Sequence, residues 1–188
     1  LGGETRQVTV LFADIRGFVR YTEQHTGPEV IRTLNQVFQA LSKVVFAHKG
    51  TFDKYLGDGL MAFYGAPVAG EDDAQRAVAT AVEMQRLFAN LRKDPAVDME
   101  GLGLGIGLHS GEAIVGNIGS EQVMDYTVVG DAVNVAKRLT DIAQSGQILF
   151  SQDTFQELKG VQAKKLKPVK LPGREEQATP YLIETSRG

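Results

Sequence analysis

Along residues 7–15, QVTVLFADI, apolar and polar positions alternate and then merge into an apolar run rich in β-branched residues. That pattern predicts a strand ending near Asp14, with Gly17 breaking the run. Between 28 and 47 the apolar residues Val30, Ile31, Leu34, Val37, Phe38, Leu41, Val44 and Val45 recur three and four apart. This is one face of a helix, with Pro28 near its first turn and Gly50 as its stop. Residues 51–56 and 60–64 flank Gly57-Asp58-Gly59 and predict a hairpin. Helical spacing returns over 74–91, followed by a polar loop at 92–100. Two long strands come next, 102–116 and 123–129, then a helix over 131–142 capped by Asp131. A strand at 147–150, a helix at 152–158 and strands at 166–170 and 180–184 complete the chain. The glycines of GLGLGIGL (101–108) alternate, so one face of that strand has no side chains and admits close approach by a helix or another backbone. Strand, helix, hairpin, helix, two strands, helix and strand in that order predict an α+β sandwich, a mixed sheet with its helices on one face. No repeat or low-complexity linker divides it, so residues 1–188 read as one domain, with 1–6 as a linker remnant.

Composition narrows the partners. A chain of 188 residues with 43% hydrophobic and 23% charged residues is of ordinary globular type and long enough for a core. A formal net charge of -3 gives no overall attraction to nucleic acid or to an anionic membrane, so a polyanionic ligand needs a local site. The absence of cysteine removes thiolate nucleophiles, disulfides and cysteine-zinc sites, and fits a reducing compartment. No apolar run approaches a membrane span and no signal peptide is visible. The chain starts at Leu1 and reads as a piece of a longer one.

Several familiar chemistries find no support. GLGLGIGL fails G-x-G-x-x-G in every register, no Gly-Lys pair offers a Walker A loop, and neither Ser110 nor Ser145 lies in G-x-S-x-G. His25, His48 and His109 stand alone and read as helix-face or core residues. The six basic residues between Lys159 and Arg174 read mainly as a solvated face. What remains is a pair of aspartates and a helix. Asp14 at a strand end and Asp58 in a turn can be neighbours in one sheet and share divalent cations with a phosphate. Taken alone, such a pair is equally an ordinary strand end and an ordinary turn. Asn134 and Arg138, four apart on the predicted helix, project from one face, where a guanidinium suits charge building on a phosphoryl oxygen.

Four segments in order, VTVLFADIRGF, GTFDKYLGDGLMAFYGAP, GIGLHSGEAIVGNIG and DYTVVGDAVNVAKRL, together resemble the catalytic domain of class III nucleotidyl cyclases, in the bacterial adenylate cyclase branch. The likeness runs from about residue 7 to about residue 184. It implies a ferredoxin-like sheet layered with helices, a head-to-tail homodimer and active sites between the two chains. It implies two divalent ions, Mg²⁺ or Mn²⁺, held by Asp14, Asp58 and the backbone carbonyl of Ile15, with the turn from Ile15 through Gly17 to Phe18 offering amides to the triphosphate of ATP. Asn134 would orient the ribose, Arg138 would meet the α-phosphate, and Lys170 in PVKLPG would contact the terminal phosphates. The inserted PGREEQATP departs from the family's short glycine turn, which bears on Lys170, and Val123 stands where relatives often carry a basic residue ahead of MDYT. The resemblance further implies a cytoplasmic catalytic domain joined to regulatory domains elsewhere in a longer chain, with or without a membrane anchor, and no nucleic-acid partner.

Lys54 and Thr127 match the two base-recognition positions. An ammonium can only donate, which suits the acceptor N1 of adenine and opposes the N1–H of guanine. Guanylate cyclases of the family carry an acidic residue there. Thr127 can accept from adenine N6 or donate to guanine O6, so by itself it discriminates weakly. Asp53 reads as a solvated partner on the hairpin. The expected activity is conversion of ATP to 3′,5′-cyclic AMP and pyrophosphate. The alternatives are a guanylate or mixed-specificity cyclase, and an inactive nucleotide-binding dimerisation module.

Overall fold

A computed structural model describes residues 2–185. The elements run β1 (Glu4–Arg16), α1 (Phe18–Gln24), α2 (Gly27–Ala47), β2 (Thr51–Leu56), β3 (Gly59–Tyr64), α3 (Asp73–Lys93), β4 (Gly103–Gly119), β5 (Met124–Val129), α4 (Asp131–Ile142), β6 (Gln147–Phe150), α5 (Gln152–Gln156), β7 (Lys164–Lys165), β8 (Val169–Lys170), β9 (Gln177–Ala178) and β10 (Tyr181–Glu184). β1 starts three residues before the predicted strand. The first four strands lie in the order β2-β3-β1-β4 and the sheet continues through β6 and β10 to β7. β1 is antiparallel to both β3 and β4. With α2 and α3 as the two crossovers, this is the ferredoxin-like βαββαβ arrangement. β6 joins β4 in parallel, which makes the sheet mixed, and β5 folds back on the outer half of β4.

The apolar run of β1 follows from burial on both faces. Leu11, Ala13 and Ile15 enter a core with α2 and α3, whereas Val10 and Phe12 enter a second cluster with Ala132 and Ala136 of α4. Helices therefore cover both faces of the sheet, not the single face that element order predicts. The glycines of β4 explain how α4 gets there. A Cβ on Gly107 would lie 2.7 Å from the carbonyl oxygen of Ala136, and one on Gly105 would lie 2.8 Å from that of Ala143. The helix backbone rests directly on a strip without side chains.

α2 is fixed at its start by a capping box. The Thr26 hydroxyl accepts from the Glu29 amide and the Glu29 carboxylate accepts from the Thr26 amide at 2.8 Å. Two expectations need correction. α4 starts from Gly130 with no side-chain cap, and Asp131 instead binds Arg174 at 2.5 Å. The predicted strand at 166–170 shortens to Val169–Lys170, and the inserted PGREEQATP turns back through Gly173 (φ 75°) to pair β8 with β9. α1 is an element that the sequence pattern did not predict. Among the described residues no helix is long and apolar enough to cross a membrane.

Candidate active site

The β1–β3 register brings the two aspartates together. Asp14 lies opposite Gly59, and the Ile15 amide donates to the Asp58 carbonyl at 2.9 Å. Gly59 is required here: a Cβ would overlap the Asp14 carboxylate and come within 2.7 Å of the Ala13 carbonyl. On its other side Asp14 faces Gly105 of β4. Beyond Ile15 the chain turns through Gly17, whose φ of 83° and close approach to the Gly101 carbonyl exclude a side chain. Phe18 then begins α1, so the turn from Ile15 to Phe18 ends at the start of a short helix.

Asp14 is 7% exposed, and its charge is met by a lysine. The Lys137 ammonium of α4 lies 3.0 Å from Asp14 Oδ2 and 3.2 Å from Asp141, above the Phe12 ring. Burial opposes the lysine's charge, but the hydrogen bonds and charges of Asp14 and Asp141 outweigh it and hold its pKa above the usual value. Arg16 adds a second cation 4.0 Å from the same oxygen. Among the described residues no group of three or more acidic or histidine side chains is arranged to hold a metal. A nearly buried carboxylate at Asp14 with the Asp58 turn beside it supplies hard oxygen donors in small number, the donor type of a Mg²⁺ ion that keeps most of its shell for phosphate and water. In one chain the Asp14 carboxylate is already paired with the Lys137 ammonium, which a metal ion would have to displace.

Lys54 and Thr127 also meet, through a residue with an unexpected position. Phe52 pairs with Ala62 and Lys54 with the adjacent Met61, so Asp53 is the extra residue of a β-bulge. A regular strand would send residues 53 and 54 to opposite faces. The bulge instead turns Asp53 inward, where its side chain is 0% exposed, which overturns the solvated reading. Its Oδ2 accepts a hydrogen bond from the buried Thr127 hydroxyl of β5. Its Oδ1 has no hydrogen-bond partner, and the Lys54 ammonium stands 3.5 Å away.

Asn134 and Arg138 project from α4, and neither makes a side-chain hydrogen bond or ion pair among the described residues. The Arg138 guanidinium lies against Gly173, where a Cβ would come within 3.0 Å, so the arginine faces the ribbon that carries the exposed Lys170. No hydrogen bond or ion pair of the described residues joins Asn134, Arg138 or Lys170 to either aspartate. Within one chain the candidate residues thus form three groups: Asp14 and Asp58 with Ile15 to Phe18; Lys54 and Thr127 with Asp53; Arg138 beside the Lys170 ribbon, with Asn134 on the same helix. Five clefts of the chain contain none of the two aspartates, Lys54, Thr127, Asn134, Arg138 or Lys170. Sequence reasoning missed Lys137 and the burial of Asp53. For Lys137 the available signal was a charged residue between Ala136 and Arg138 on a helix lying against the glycine strip. For Asp53 there was none, because a bulge leaves no mark in strand periodicity.

Residues 3–185 match the adenylate and guanylate cyclase catalytic domain family. Among solved structures, the adenylyl cyclase CyaB from P. aeruginosa is similar with a TM-score of 0.93 and 30% identity, covering 100% of this chain and 98% of that one. The guanylyl cyclase Cya2 is similar with a TM-score of 0.92 and 35% identity, covering 100% and 96%. An adenylate cyclase of Anabaena cylindrica is 31% identical over 96% of the chain. The chain spans well under half the length of the relatives it matches by sequence, 37% in the Anabaena case.

Proposed function

This chain belongs to the adenylate and guanylate cyclase catalytic domain family, and from that premise we propose that it is an adenylate cyclase acting as a head-to-tail homodimer. Residues 1–188 would be one catalytic domain of a longer protein. The 3′-hydroxyl oxygen of the ribose bonds to the α-phosphorus, the bond from that phosphorus to the β-phosphate oxygen breaks, and pyrophosphate leaves as the hydroxyl proton is lost. The observation that carries this reading is the β1–β3 register, which sets Asp14 beside the turn of Asp58.

Asp14, Asp58 and the Ile15 carbonyl would hold two divalent ions, Mg²⁺ or Mn²⁺. When bound, such ions acidify the attacking hydroxyl and neutralise the phosphates. The remaining work belongs to side chains. Arg138 supplies a planar donor fork to the charge that grows on the α-phosphate, and Asn134 fixes the ribose. Lys170 holds the terminal phosphates, with the amides of the Gly17–Phe18 turn. Lys54 donates to adenine N1 and Thr127 accepts from N6. In the dimer, one chain gives Asp14, Asp58 and the Gly17–Phe18 amides while its partner gives Lys54, Thr127, Asn134, Arg138 and Lys170.

Overall likeness does not choose the nucleotide, since a guanylyl cyclase is 35% identical and an adenylyl cyclase 30%. Guanylate cyclase activity is therefore the second reading, and Lys54 argues against it. The test is a paired assay with ATP and GTP, each with Mg²⁺ and with Mn²⁺, across protein concentration. Cyclic AMP in large excess over cyclic GMP, with specific activity rising as the chain dimerises, is the expected result. Predominant cyclic GMP would establish the second reading. No cyclic product from a chain shown to be dimeric would sink both.

A further inference from the structure

Asp53 takes no part in the reading above, yet it is the most constrained carboxylate near the base-reading residues. Its side chain is wholly buried on a β-bulge, one oxygen accepts from Thr127, and the other lacks a hydrogen-bond partner. Buried carboxylates are ordinarily satisfied by several donors, and an unpartnered oxygen is a cost that calls for an explanation. The bulge itself commits the strand to this arrangement, because it turns residue 53 out of the ladder and toward β5.

A hydroxyl has one hydrogen and two acceptor lone pairs. The ionised carboxylate of Asp53 can only accept, so it captures the hydrogen of Thr127 and leaves that oxygen nothing but lone pairs for a ligand. Threonine alone could serve either purine by rotating its hydrogen. Threonine bonded to Asp53 cannot. We infer that Asp53 is a specificity-determining positioning residue, which fixes Thr127 as a pure acceptor and, as counter-ion 3.5 Å away, holds Lys54 beside it as a pure donor. The inference rests on the proposed roles of Lys54 and Thr127 toward the base. Together they would present donor and acceptor in the order that adenine N1 and N6 require. Guanine would meet a donor against N1–H and a lone pair against O6, two mismatches in place of one. The selectivity of this site would thus reside in three residues, of which the third never touches the nucleotide.

The experiment measures kcat/KM for ATP, GTP and purine riboside triphosphate, which is ATP without the N6 amino group. The same three ligands are compared by displacement of a fluorescent nucleotide, so that binding answers the question independently of turnover. Asp53→Asn keeps the shape but offers Thr127 either a donor or an acceptor. It should lower both the ATP:GTP and the ATP:purine ratios at least about fivefold, the worth of one hydrogen bond. Thr127→Val should lower the ATP:purine ratio equally, and the double variant should lose no more than either alone, since the two act as one unit. An Asp53→Asn protein that is weaker toward all three ligands with unchanged ratios would show a merely structural role and overturn the inference alone. A wild-type protein that prefers GTP would overturn the nucleotide reading and this inference with it. Should Asp53→Asn fail to fold, the ATP:GTP ratio of Thr127→Ser and Thr127→Val decides: a ratio kept by serine and lowered by valine supports the locked acceptor, and a ratio unchanged by valine, as a freely rotating hydroxyl would give, refutes it.

Discussion

Lys137 lies closer to Asp14 than any other cation, 3.0 Å from a carboxylate that is almost fully buried. Removing it leaves Asp14 beside Arg16 alone, at 4.0 Å. The pair is half open to solvent on the lysine side, which limits its worth to about 1 kcal/mol. Lys137→Met should therefore lower stability by about that amount in EDTA. Added Mn²⁺ should restore more stability to the variant than to the wild type, because the ion no longer competes with an ammonium. Thermal melts with and without Mn²⁺ read this directly, and equal stabilisation of both proteins would remove Lys137 from the aspartate site. At this scale the sequence supplied residue types but not their orientation. Asp14, Lys54 and Asp58 were legible as candidates, whereas the inward turn of Asp53 depends on a single extra residue in β2, which periodicity does not record.

The seat of α4 on β4 is the element-level feature on which the candidate site depends, since Asn134, Lys137 and Arg138 all project from that helix. Alternation of glycine in GLGLGIGL was enough to predict a close approach, and the partner proved to be the α4 backbone. Gly107→Ala would put a methyl within 2.7 Å of the Ala136 carbonyl and closer still to Thr140. Helix and strand would have to part, at about 2 kcal/mol or more. Gly27→Ala is the matched control, as nothing lies within 4 Å of a Cβ there. Urea unfolding should show the first variant clearly destabilised and the second no less stable than wild type, with a gain of up to about 1 kcal/mol. The longer helices and strands were legible because their apolar periods are sustained. α1 was not, being seven residues long, and the terminal ribbons were blurred because two-residue strands have no period to detect.

For the whole molecule, the proposed division of each site between two chains makes a quantitative prediction. Asp58→Ala and Arg138→Ala should each be nearly inactive alone. Mixed in equal amounts, half of the dimers would pair one of each and contain one intact site, giving about a quarter of wild-type activity. A mixture as inactive as its components, although shown to exchange subunits, would rule out shared sites. The β4–β5 hairpin also carries the exposed apolar residues Ile118, Val123 and Met124 at its end, a surface suited to a second chain. The sequence by itself determined the order of the longer elements and the bare strip on β4, because each follows from residue type and spacing along one strand or helix, whereas Asp14, Asp58 and Lys54 stood out as a set only through the resemblance to the family. Only the tertiary structure decided that helices cover both faces of the sheet, that Lys137 meets Asp14, and that Asp53 is buried against Thr127. Those contacts join residues 123 and 74 positions apart, and only strand register, a bulge and the packing of α4 bring such distant residues within reach.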